Sequence, residues 1–283
     1  MNSIQFIIFL MIIFAVTVRT LALKKIAETV SPEKTAFIIG IGTFLTCLFI
    51  FPLATIVKIA SLSDFLTVQG NLAGLGKGIL LGCLLIAQQN LIGKSLSATT
   101  YVFPLATGGI ALSEMLVFGT HLSLGGILSI TVLFLAGILF ITVGYLGGMS
   151  KKDKVLFLLM VLCVIGFAMM DKTGIPLSGW YSYLLITGLG NMLVIWVGRG
   201  AGESVPLKTW IYISVVWVIP ELFFNYTLAT YLPVTYGYLA ITLRIPVLML
   251  ISVLIYKEGR LSSQMLFSIV ALIAVLILMV DKI

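Results

Sequence analysis

Arg244 stands near the middle of "YLAITLRIPVLMLISVLIY", residues 238–256, a run whose other residues all suit lipid. A charge at the bilayer centre costs about 2.5–3.5 kcal/mol on insertion scales, so this side chain is expected to face a cavity or a partner. The partner the sequence suggests is Glu221 in "WVIPELFFN", near the middle of the preceding run. Both residues lie close to prolines, Pro220 and Pro246. Proline kinks a helix and frees backbone carbonyls, which a membrane protein tolerates where protein or water satisfies them. Two chemistries follow. Either Arg244 binds an anionic group of a substrate while Glu221 competes for it or carries a proton, or the two form a fixed bridge between their helices.

Other polar residues interrupt apolar runs. Glu114 in "LSEMLVFG" suits proton coupling, or an interfacial carboxylate reaching water. Gln88, Gln89 and Asn90 are consecutive and cannot share one helix face, so at least one is expected to look into a cavity. The others are expected to hydrogen-bond between helices, each worth about 0.6 kcal/mol. Asn191 and Asn225 carry the same two readings. Tyr101, Tyr236 and Tyr238 come early in their runs; Tyr236 and Tyr238 also suit an interfacial aromatic belt, but all three are expected to line the cavity, because Thr-Tyr recurs in both halves and aromatic walls with few polar groups suit an organic solute. Trp180 and Trp210 fit an interfacial belt, whereas Trp196 and Trp217 lie deeper.

Covalent chemistry is thinly supplied. The chain has one histidine, His121, at a run end, and no H-E-x-x-H, paired aspartates or G-x-S-x-G. Cys47, Cys83 and Cys163 all fall within apolar runs and read as small core residues. "GNLAGLGKG" misses the phosphate-loop spacing, since Asn71 takes the first glycine position and Gly78 follows Lys77. Enzymatic activity, metal, cofactor and nucleic acid are therefore not expected.

The elements that must position these residues follow from composition. Of 283 residues, 60% are hydrophobic and 10% charged, against about 45–50% and about 25% in soluble domains. A membrane-crossing helix needs about 20 apolar residues. Ten runs qualify, at 4–22, 35–57, 72–93, 98–118, 123–147, 154–171, 179–198, 209–227, 233–256 and 262–281. They are continuous rather than alternating, which predicts helices and not barrel strands. The first run lacks a preceding Lys or Arg and reads as a retained helix.

Connections after odd-numbered runs hold Lys24, Lys25, Lys34, Lys94, Lys151, Lys152, Lys154, Lys208, Lys257 and Arg260, with Arg19 and Arg199 at their edges. Those after even-numbered runs, with the tail, hold Lys58, Lys77, Lys172 and Lys282. The positive-inside rule then puts the odd connections in the cytoplasm and both termini outside.

The link "GGMSKKDKV" divides the runs into five and five, and an odd number per half makes the halves insert in opposite orientations. Aligning Asn90 with Asn225 also pairs Thr100 with Thr235, Tyr101 with Tyr236 and Phe103 with Tyr238. Gly74, Gly78 and Gly82 form a four-residue stripe of the kind that lets helices approach closely.

Two segments, "TTYVFPLATGGIALSEMLVFGTHLSLGGILSITVLFLAGILFI" and "YLPVTYGYLAITLRIPVLMLISVLIYKEGRLSSQMLFSIVALIAVLIL", carry a resemblance. They are similar to helices four and five, and nine and ten, of the ten-helix EamA-type branch of the drug/metabolite transporter superfamily. Each pair has a proline within its first helix, a polar interruption and a second apolar helix. The resemblance implies carriage of small solutes through a central cavity lined by helices 3, 4, 8 and 9, with contributions from 1, 2, 6 and 7. It also implies cytoplasmic termini, opposite to the lysine count.

The expectation is an all-α integral membrane protein of ten transmembrane helices, arranged as two inverted five-helix repeats, 1–150 and 151–283. It would sit in the cytoplasmic membrane of a prokaryote and work as a secondary transporter or exchanger. Its partners would be the bilayer and a small anionic or zwitterionic solute, and a homodimer is compatible. The alternatives are an accessory or scaffold membrane subunit and an intramembrane enzyme.

Overall fold

A backbone in hydrocarbon must satisfy its own hydrogen bonds, and a helix does so within one segment. The computed structural model describes residues 3–142, 149–197, 204–258 and 261–281, and every regular element among them is helical. The helices are α1 (Ser3–Ile26), α2 (Pro32–Ile56), α3 (Val68–Ile92), α4 (Leu96–Phe118), α5 (Leu124–Thr142), α6 (Lys151–Ser178), α7 (Trp180–Val197), α8 (Leu207–Thr230), α9 (Val234–Leu243), α10 (Ile245–Leu254) and α11 (Leu261–Asp281). A short 3-10 turn, Leu62–Leu66, precedes α3.

Eight helical stretches are long and apolar enough to cross a bilayer: α1 to α6, α8, and Tyr236–Leu254, which joins α9 to α10. The protein is a multi-pass membrane protein on this ground. Large apolar side chains such as Phe14, Phe49, Leu116 and Leu162 are exposed on its flanks, where lipid would cover them.

The ninth run is broken in two. Pro246 has no N–H for the Thr242 carbonyl, and its ring crowds that carbonyl, so the helix turns at Arg244 and restarts with Pro246 in its first turn. The sixth run is longer than its hydropathy predicts. Asp171 and Lys172 lie inside α6, and each meets an opposite charge across a helix interface.

Lys77 and Lys172, counted with the connections from sequence, belong instead to the interiors of α3 and α6. Among the described residues that leaves Lys58 as the one Lys or Arg in connections after even-numbered runs, while Arg199, Arg260 and Lys282 lie outside them. On the other side Lys24, Lys25, Lys34, Lys151, Lys152, Lys154 and Lys208 lie in the terminal turns of their helices, grouped with Lys94 and Lys257 of the connections.

Helix α3 is central and packs on α6, α7 and α2. Its glycine stripe faces α7: a Cβ on Gly78 would strike the Thr187 carbonyl oxygen and the Gly190 Cα. Further pairs are α2 with α7 and α8, α4 with α5 and α6, α5 with α11, and α1 with α8 and α9.

Candidate functional site

On α3, Lys77, Leu81, Leu84 and Gln88 recur at helical spacing and face one small cavity. On α8 the matching residues are Trp217, Glu221 and Phe224, on α9 Tyr238 and Ile241, and on α1 Arg19 and Thr20. Phe103 of α4, Phe167 of α6 and Arg244 complete the lining. The cavity volume is about 40 Å³, room for about three waters at ~10–15 Å³ each. Clefts that hold metabolites run to about 300–1,000 Å³, and this cavity is far smaller.

A ladder of buried charge runs beside it. Arg19 Nη1 donates to Glu221 Oε2 at 3.0 Å. Lys77 Nζ lies 3.6 Å from Glu221 Oε1 and 2.7 Å from Asp171 Oδ1, and it donates to Asn225 Oδ1 at 3.3 Å. Asn225 Nδ2 returns a bond of 3.1 Å to Glu221 Oε1, one helical turn away on α8. The Tyr238 hydroxyl donates to Asp171 Oδ2 at 2.6 Å. Five helices, α1, α3, α6, α8 and α9, are thereby tied through ionisable side chains and the hydrogen bonds they make. Removing one partner of such a pair leaves the other charge buried and costs about 3–5 kcal/mol.

Arg244 stands apart from this ladder. It is fully buried and lines the cavity. Its Nη1 donates to the Val16 carbonyl at 2.9 Å and to Thr20 Oγ1, and its guanidinium lies 4.4 Å from the Phe103 ring centre. The fixed Arg244–Glu221 bridge, one of the two sequence readings, is absent among the described residues. Glu221 is held by Arg19 and Lys77 instead, because α1 and α3, not α9, present their cations to that face of α8.

The other sequence candidates divide. Gln88 lines the cavity, whereas Gln89 is buried away from it with neither amide atom bonded, and Asn90 donates to the Ile86 carbonyl of its own helix. Asn225 is part of the ladder. Asn191 is wedged where α7 meets Gly40 and Gly82, off the cavity. Tyr238 lines the cavity, but Tyr236 is half-buried elsewhere, and Tyr101 stacks on Phe140 at 4.2 Å, toward α5 and α11. Glu114 does not reach out to water. It is buried and pairs with Lys172 at 3.2 Å, between α4 and α6. Trp180 packs on Tyr181 and Tyr226 and Trp210 on Phe37, while the Trp196 side chain lies outside the described residues.

Sequence reasoning missed Lys77, Asp171, Arg19 and Trp217 as site residues. For Lys77 the signal was present: Gln88 follows it by three helical turns on the same face, through Leu81 and Leu84.

A second polar cluster ties the lysine-rich ends of the helices. Glu258 Oε2 accepts from the Leu96 and Ser97 amides at the start of α4, at 2.8 and 3.2 Å, and from the Ser252 hydroxyl at 2.7 Å. A carboxylate is favoured there by the positive end of the helix dipole. Glu258 Oε1 accepts from Lys24 Nζ at 3.2 Å, and Lys24 also donates to the Ile92 carbonyl at 2.7 Å where α3 ends. Lys94 pairs with Asp153 of α6 at 2.6 Å.

The sequence matches no protein-family model and no curated protein.

Proposed function

We propose that the chain is a secondary transporter or exchanger that moves a small organic metabolite by alternating access around this cavity. The observation that carries the reading is the buried charge ladder beside a water-sized cavity, joining helices from both halves of the chain. Ionisable groups inside membrane spans are costly and characteristically mark solute or ion pathways. A ladder whose partners can be exchanged gives the helices alternative arrangements of similar energy, which a rocking motion requires.

The pattern of helix pairing supports the two inverted repeats, 1–150 and 151–283. Counting α9 and α10 as one span and α11 as the tenth, a shift of five spans maps α1–α8 onto α6–α3. The same shift maps α3–α7 onto α8–α2, and α4–α6 onto α9–α1. Such an exchange is what a pseudo-twofold axis in the membrane plane produces. On this reading the chain has ten spans, the ladder joins the repeats, and the lysine-rich ends face the cytoplasm of a prokaryotic cell with both termini outside.

The small cavity is the observation that favours an accessory or scaffold subunit instead, since a static ladder would hold a bundle together. Reconstitution of the purified chain in liposomes separates the two. Saturable uptake or counterflow of a solute from a mixed metabolite pool supports transport. Absence of flux for every solute, with correctly folded protein in the vesicles, would remove it.

A further inference from the structure

The cavity wall carries more positive charge and more hydrogen-bond donors than the protein itself satisfies. Three cations, Arg19, Lys77 and Arg244, stand against two carboxylates, Glu221 and Asp171. Both carboxylates are committed. Glu221 holds Arg19, Lys77 and Asn225, and Asp171 holds Lys77 and Tyr238. Among the described residues Arg244 has no carboxylate partner, and with Nη1 engaged by Val16 and Thr20, its buried Nε–H meets no acceptor there. The buried indole N–H of Trp217, whose ring Arg19 covers at 4.3 Å, meets none either. Among the cavity-lining residues these are the buried polar atoms without partners, and both are donors.

A ligand that answers this inventory brings one negative charge and acceptors, and no cation. A carboxylate supplies both in a planar group that suits the edge of a guanidinium. A dianion would overshoot the surplus. A zwitterion would need an acceptor for its ammonium group, and the two carboxylates described near the cavity are already paired, Glu221 with Arg19 and Lys77 and Asp171 with Lys77. Beyond Thr20, Gln88 and the Tyr238 hydroxyl, the remaining walls are apolar and aromatic, notably Phe167 and Phe224, which calls for a hydrocarbon body. The volume of about 40 Å³ admits little more than the carboxylate itself, so the body enters as the walls part.

Resting on the reading of this cavity as the transport site, we propose that the solute is an aryl or alkyl monocarboxylate without an ammonium group. Its carboxylate takes the Nε edge of Arg244 and the indole N–H of Trp217.

The test is binding by the full chain in nanodiscs, followed by calorimetry and thermal shift. The probes are pairs that differ by one α-ammonium group: acetate and glycine, 3-methylbutanoate and valine, 3-phenylpropanoate and phenylalanine. 3-Phenylpropanamide and chloride alone serve as further arms. At least one carboxylate should bind saturably, and at least about tenfold more tightly than its amino acid; 3-phenylpropanoate should exceed its amide by a like margin. Arg244→Gln should weaken it about ten- to a hundredfold, the scale of one charged hydrogen bond. Trp217→Phe keeps the ring under Arg19 and should weaken it several-fold, which preserves the test if Arg244→Gln does not fold. The proposal is overturned if no carboxylate binds, if the amino acid or amide binds as tightly, or if chloride at equal concentration competes equally. Unchanged affinity in Trp217→Phe also overturns it. Because binding is read without flux, a carboxylate that binds but is never moved in liposomes keeps the anion site and defeats transport. Flux of some other solute without carboxylate binding does the reverse.

Discussion

Glu221 holds two cations from two other helices, Arg19 of α1 and Lys77 of α3, and its own Asn225 steadies it. Glu221→Gln keeps the shape but strips the charge, so both cations lose a counter-ion in a poorly solvated place. The expected loss is about 3–5 kcal/mol of stability, read as a lower melting midpoint of the purified protein. Lys77→Met should cost a similar amount by itself. The double variant should cost much less than the sum, because residues in one ionic network couple by about 0.5–3 kcal/mol. Simple additivity would mean that the two do not interact. Arg244 and Glu221 were legible in the sequence as charges inside apolar runs. Their partners were not, because the rotational setting of α1, α3 and α8 decides which cation a carboxylate meets, and no spacing along one helix encodes that setting. Lys77 and Asp171 were hidden for a different reason: averaging hydropathy along a run treats a charge near its margin as part of a loop.

At the scale of elements, packing of α3 on α6 brings Lys77 to Asp171, while the glycine face of α3 approaches α7 closely. That approach depends on Gly78, where any Cβ would meet Thr187, Gly190 and Asn191 backbone atoms that have no room to give. Gly78→Val should abolish the monodisperse folded species in detergent size-exclusion. Gly76→Ala is the control, because its Cβ would meet only the flexible Met170 thioether end, and it should stay folded. Similar behaviour of the two would contradict this packing. The glycine stripe was readable from sequence as a close-packing face, but its partner helix was not. The break between α9 and α10 could be anticipated from Pro246. The length of α6 could not, since its charged turn persists only because Lys77 and Glu114 lie opposite Asp171 and Lys172.

For the whole molecule, the lysine-rich ends are joined by Glu258, which links Lys24, the start of α4 and the end of α10. On the alternating-access reading this cluster is a gate. Glu258→Gln should weaken it and raise the rate at which a cysteine placed at Ser97 reacts with a soluble maleimide in membranes. An unchanged rate would assign the cluster a purely structural part. Orientation is testable separately. An N-terminal epitope tag should be reached by antibody from outside intact cells, and a tag detected only after permeabilisation would reverse the assignment. The sequence by itself determined that the chain crosses the membrane many times as helices, because a 60% apolar composition and continuous 20-residue runs leave a backbone no other way to satisfy itself in lipid. It also determined which end is rich in lysine. Only the tertiary structure decided which charges pair with one another and that, among the described residues, Arg244 is left without a carboxylate. Those outcomes depend on distances of a few ångströms between side chains from five helices, and Coulomb energy in a poorly solvated interior changes steeply over such distances.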